Sequence, residues 1–273
     1  VNTVNMTVTP EQAREWLKKN TTNRKLSSER VRVYAADMRN GNWQKTHQGI
    51  AFYEDGSLAD GQHRLSAIIE SGVSTEFLVT FGITKPAGAA IDTLRARKTT
   101  DAIRIGDLST WVGKDEVSIA NFLHRISSKG RCSTLSPIQA VEYCEQNKEA
   151  IQFACHHLSV HRKGVTSAPV KAAVACAYQQ VDTADLIDFC ESLISGFASD
   201  SNRVAVIRLR EKLITDSRTL LAGEGGRREV FKLATRAIKA FTDRQEISKL
   251  YVPRDPVYSP IEMQYERREV ETA

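Results

Sequence analysis

Gly61-Gln62-His63-Arg64 stands where a short strand gives way to an apolar helix. The N-terminus of a helix carries unpaired backbone N–H groups and a partial positive charge, which together suit an anion. Gly61 permits positive φ and lets the backbone approach a ligand closely. Arg64 falls in the first helical turn, where a cation opposes the helix dipole and needs an anionic partner. That partner is either a phosphate gripped by the guanidinium fork or a nearby carboxylate that closes a capped helix. Asp60 either caps the helix or coordinates a metal carried by the phosphates. His63 either donates to a phosphate and moves a proton, or is a neutral histidine hydrogen-bonded to a neighbouring loop.

Other residues offer less defined chemistry. Arg228, Lys232, Arg236 and Lys239 recur at spacings of 4, 4 and 3, so they line one helix face suited to DNA phosphates or to plain solvation. The preceding helix adds Arg203, Arg208, Arg210, Lys212 and Arg218. Asp92, Arg95, Arg97 and Lys98 form a basic linker that either closes over a ligand or stays solvated. Cys155-His156-His157-x3-His161 invites zinc, but no second pair of closely spaced ligands accompanies it, which favours polar residues at a helix end. Gly223-Glu224-Gly225-Gly226 precedes a helix without the GxxxxGK[ST] pattern and reads as an interhelical loop. The five cysteines form no CxxC pair and most sit among apolar helical neighbours, as buried free thiols do.

The elements that must position these residues divide near residue 100. Thr9-Pro10-Glu11-Gln12 opens a helix through Lys19, and Ser27 or Ser28 caps a second that ends at Asn40 and Gly41. Ile50–Tyr53 has strand propensity, Asp55-Gly56 is a hairpin turn and Ser57–Ala59 returns. A helix over 62–71 and a strand over 75–83 follow. Beyond residue 100 the periodicity is helical, with helices near 115–127, 137–147, 149–158, 168–180, 184–196, 201–218 and 227–248. Ser136-Pro137-Ile138-Gln139 repeats the capping-box pattern, and its helix with the next could form a helix-turn-helix pair. The expected class is α+β: an α/β domain over 1–100, a helical domain over 101–249 and an extended or disordered tail over 250–273.

The stretch from Tyr34 to Val79 resembles the N-terminal domain of the ParB/sulfiredoxin superfamily. YAADMRNG matches its first helix, GIAFYEDGSLA its hairpin and Gly61-Gln62-His63-Arg64-Leu65-Ser66-Ala67 its Gly-Glu-Arg-Arg-x-Arg-Ala box. Asn23-Arg24 resembles an upstream arginine motif, and DGQHRL looks like a variant found in ParB-like proteins of bacteriophages and mobile elements. The resemblance covers roughly residues 7–100. It implies a nucleotide ligand, ATP or CTP with Mg2+, bound by Arg24, Gly61, Gln62, His63 and Arg64. Only the second arginine of the box survives, as Arg64; His63 and Ser66 replace the others, so a triphosphate would meet less charge. The sulfiredoxin cysteine is replaced by Gln62, which removes that chemistry. Kinase-like relatives use a carboxylate as general base, and Glu54, Asp55 and Asp60 are the carboxylates available, with His63 a proton carrier.

Bulk properties set the outer limits. The 273 residues are 41% apolar and 26% charged, with a net charge of +5, a mild bias towards anionic partners. Basic and acidic residues number 14 and 10 over 1–100, 9 and 12 over 101–200, and 15 and 11 over 201–273, so positive charge gathers at the two ends. No apolar run spans a bilayer and VNTVNMTVTP lacks the regions of a secretory signal, pointing to a cytoplasmic protein without a membrane partner. No metal-carboxylate cluster supports a nuclease. The leading expectation is a DNA-associated protein that binds nucleotide phosphate at the loop and DNA through its helical domain, as a monomer or homo-oligomer. The alternatives are a phosphoryl-transfer or nucleotide-hydrolysing enzyme, and a non-catalytic interaction module.

Overall fold

The computed structural model describes residues 1–21, 23, 25–88, 98–128, 134–198, 200, 203–216 and 222–262. The chain is α+β and divides into two compact units, one of residues 1–101 with 134–139 and one of 102–133 with 140–264. Arg24, Asp92, Arg95, Arg97, Cys132 and Arg218 lie outside the described residues.

The first unit is built on a mixed sheet of β1 (Asn2–Val8), β2 (Ile50–Tyr53), β3 (Leu58–Asp60) and β4 (Thr75–Ile83) in the order β1-β4-β2-β3. β1 and β3 run antiparallel to their neighbours, while β2 and β4 are parallel. One face is covered by α1 (Pro10–Leu17), α2 (Ser28–Arg39) and α3 (Gln62–Ser71). Val8, Trp16, Val31, Met38, Ile50, Phe52, Leu65, Ile68, Phe77 and Val79 form its core. The Thr9 hydroxyl caps α1 through the Gln12 N–H at 3.2 Å and Ser27 caps α2 through Arg30 at 3.3 Å. The hairpin, α3 and β4 stand where the sequence places them. Strand β1 does not appear in the sequence expectation; its seven residues pair in continuous register with β4.

Residues 134–139 join this unit. The Ser136 hydroxyl donates to Asp37 Oδ1 at 2.8 Å, and Thr134 Oγ1 donates to Glu29 at 2.7 Å. The Ser136–Gln139 capping box closes in both directions, with Gln139 N–H to Ser136 Oγ at 3.3 Å and Ser136 N–H to Gln139 Oε1 at 3.1 Å.

Further helices are α4 (Lys85–Gly88), α5 (Thr99–Ile105), α6 (Lys114–Ser127), α7 (Pro137–Gln146), α8 (Lys148–His157), α9 (Ala168–Ala177), α10 (Thr183–Ser195), α11 (Ala205–Thr215) and α12 (Gly223–Thr242). In the second unit α9 packs against α12, α8 and α6. Its sequence, APVKAAVACA, is buried all round, as a central helix must be. A single residue, Asn147, joins α7 to α8, in place of the three- or four-residue turn of a helix-turn-helix pair. Residues 250–262 carry no regular secondary structure yet pack: Leu250 and Tyr258 are buried, Val257 N–H donates to Thr235 Oγ1 at 3.1 Å and Tyr143 Oη to the Ile261 carbonyl at 2.6 Å. Among the described residues no helix is long and apolar enough to cross a membrane.

Candidate functional site

The loop at the start of α3 is held by its neighbours on every side. Gly61 is the N-cap at φ +108°, with no side-chain cap bond. A Cβ there would lie 3.0 Å from Ile50 Cγ1 and 3.2 Å from Ile50 Cα, so both conformation and space demand glycine. Asp60 Oδ1 accepts the Gly61 N–H at 2.7 Å, while Oδ2 lies 3.3 Å from Arg64 Nη1. Arg64 also donates to the Gly49 carbonyl at 2.9 Å and to Gln48 Oε1 at 3.5 Å, and its side chain is only 13% exposed. The cation in the first turn therefore has its anion inside the protein. Gly49 itself lies against β4, where a Cβ would stand 1.7 Å from the Leu78 carbonyl oxygen.

Gln62 and His63 turn inward as well. Both are buried; Gln62 Oε1 accepts from Asn20 Nδ2 at 3.1 Å, and His63 Nε2 accepts the Ser27 N–H at 3.0 Å. An imidazole nitrogen that accepts a backbone N–H carries no proton, so His63 is held neutral with its proton on Nδ1. Through this bond the loop fixes the N-terminus of α2. The connection between α1 and α2 is knitted to the same place: Asn23 Nδ2 donates to Asn20 Oδ1 at 2.8 Å and to the Leu58 carbonyl at 2.9 Å, and Leu58 N–H donates to the Lys19 carbonyl at 2.9 Å. Asn20 and Asn23, polar loop residues by sequence, are thus part of the site's frame.

The remaining predicted residues do not converge on the loop. Glu54 is exposed in the hairpin turn, whereas Asp60 pairs with Ala51 at the other end of the hairpin. Three residues of strand separate Glu54 from Ala51, about 10 Å. Asp55 is committed to the turn, where the Ser57 hydroxyl at 2.5 Å, the Ser57 N–H at 2.9 Å and Lys85 at 3.0 Å hold its carboxyl down to about 2. Among the described residues no three His, Cys, Asp or Glu side chains are placed to hold a metal ion.

The cationic face of α12 is present but engaged. Arg228 pairs with Glu224, and Lys239 with Asp243 at 2.7 Å. Lys232 donates to the Arg254 carbonyl and Arg236 to the Tyr251 carbonyl at 3.3 Å, with the Arg236 guanidinium 5.9 Å from the Tyr251 ring centre. A carbonyl accepts a hydrogen bond without neutralising the donor, so Lys232 and Arg236 keep their charge while Arg228 and Lys239 are compensated. On α11 and just before it, Arg203 is buried between Asp185 and Asp188 and Arg210 closes the end of α10 through the Leu193 carbonyl at 3.0 Å, while Arg208 and Lys212 pair at the surface with Glu211 and Asp216.

The helical unit holds a groove of about 630 Å³ lined by Trp111, Glu116, Gln152, Phe153, Cys155, His156 and His157. Burial and the neighbouring Glu116 push the Cys155 thiol well above the ordinary range, which makes it a poor nucleophile. Cys144, Cys176 and Cys190 are pushed up to about 12 by burial. No family model, curated protein or solved structure matches the chain.

Proposed function

We propose that the chain is a non-catalytic ParB-like interaction module that associates with DNA through its helical unit, with the Gly61–Arg64 box serving as the keystone of the first unit. The observation that carries this reading is the internal saturation of the box: Arg64 is held by Asp60, Gly49 and Gln48, and His63 Nε2 accepts from Ser27. A phosphate that recruited Arg64 or His63 would have to break these side-chain contacts before gaining its own. Lys232 and Arg236, which have no carboxylate partner among the described residues, supply the electrostatic handle for nucleic acid.

A second reading, nucleotide phosphate at the box with ATP or CTP and Mg2+, keeps one observation in its favour: α3 begins at a positive-φ glycine with no side-chain cap. Titration calorimetry with ATP, CTP and GTP plus magnesium separates the two readings. The scaffold reading expects no saturable heat from the parent, and a lower unfolding midpoint for Arg64→Ala. Saturable binding that Arg64→Ala abolishes establishes the nucleotide reading instead. In parallel, duplex DNA binding followed across salt concentrations should weaken in Lys232→Ala/Arg236→Ala, its log–log slope falling by about 2. An unchanged slope removes α12 from the interface.

A further inference from the structure

The two edges of the sheet differ. β3 is three residues long, and its Leu58 is tied on both backbone groups, the N–H to the Lys19 carbonyl and the carbonyl to Asn23. β1 is seven residues long and pairs with β4 through seven consecutive positions without a bulge. Among the described residues its hydrogen bonds run to β4 alone, the Thr3–Thr80 hydroxyl contact at 3.0 Å and the Asn5–Glu76 contact included. Regular strands at sheet edges are guarded by charge, proline, bulges or a covering segment, because an open ladder templates another strand. NTVNMTV has no charge, no proline and no bulge.

We propose that the outer edge of β1 pairs antiparallel with β1 of a second copy, about a twofold axis at Asn5. The strand is complementary to itself in that register. Asn5 meets its own copy, Thr3 meets Thr7 of the other chain, and Val4 meets Met6. Val4 and Met6 pack against the core on the helix-covered face, while Thr3, Asn5 and Thr7 are exposed on the other. Apolar residues then meet apolar residues, and hydroxyls and amides meet their like. A strand without charge gives a charged partner nothing to pair with, which favours its own sequence as the occupant. Seven residues of ladder, about 24 Å, form a smaller contact than a stable dimer buries, so the association is weak and concentration-dependent.

Sedimentation equilibrium of the full chain across a wide concentration range tests the pairing. Thr3→Lys/Thr7→Lys places lysine opposite lysine twice across the axis, whereas Thr3→Glu/Thr7→Lys places glutamate opposite lysine twice. Both variants carry Thr7→Lys, which faces Glu76 within its own sheet, so the fold is challenged equally there. The parent should dimerise reversibly, the double-lysine variant about tenfold or more weakly, and the glutamate–lysine variant at least as well as the parent. A parent that stays monomeric, or two variants that respond alike, overturns the proposal; dimers that neither variant disturbs place the contact elsewhere.

Discussion

Gly61 does two jobs that no other residue type can combine. It adopts φ +108° at the N-cap of α3, and it leaves room for the Ile50 backbone. Gly61→Ala should lower stability by about 2 kcal/mol or more, since an alanine held at positive φ is strained and its Cβ must also displace Ile50. Urea unfolding measures the loss; a cost under about 0.5 kcal/mol would show that the loop relaxes freely and is no keystone. The residue types of this loop were legible in the sequence, because glycine is a favoured N-cap residue and arginine in the first turn opposes the helix dipole. Their partners were not. Gln48 and Gly49 lie well upstream of Arg64, and Ser27 is 36 residues from His63, so only tertiary packing shows that the box turns inward.

At the scale of elements, short-range chemistry predicted best. Thr9, Ser27 and Ser136 cap the helices expected of them, and Asp55-Gly56 turns the hairpin, because each signal acts within three or four residues. β1 was missed because Asn2 and Asn5 have poor strand propensity and its partner β4 lies beyond the next three helices and a hairpin. The buried helix α9 presents the opposite case: a lysine inside an apolar helix. Lys171 is 4% exposed and pairs with Asp115 of α6, whose side chain is half exposed. Removing the carboxylate strands a buried cation, whereas removing the lysine leaves a carboxylate that water can reach. Asp115→Asn should therefore cost about 2 kcal/mol, below the ~3–5 kcal/mol of a fully buried pair, and Lys171→Met should be close to neutral. Equal costs for the two in chemical denaturation would refute the ion-pair account.

For the molecule as a whole, two histidines of the helical unit make stability depend on pH between about 5 and 6.5. The carboxyls of Asp55, Glu11 and Glu76 are all lowered by their hydrogen bonds, so the stability they add is lost only in more acidic solution. His124 is different. It is buried, its Nε2 has no hydrogen-bond partner among the described residues, and burial followed by the neighbouring Arg125 lowers its proton affinity below the ordinary 6.5. His157 is lowered by burial and by His156. Both groups bind a proton more readily in the unfolded chain. Stability is therefore full above about pH 6.5, falls as acid protonates the unfolded state first, and levels off once the folded imidazoles protonate as well. His124→Leu removes an unpaired buried polar atom, so it should be neutral or stabilising at pH 8 and should flatten the decline from pH 6.5 to 5. Adding His157→Asn should flatten it further. Thermal unfolding followed across that range decides the matter: a decline of unchanged slope in the double variant would show that His124 and His157 do not set the acid sensitivity.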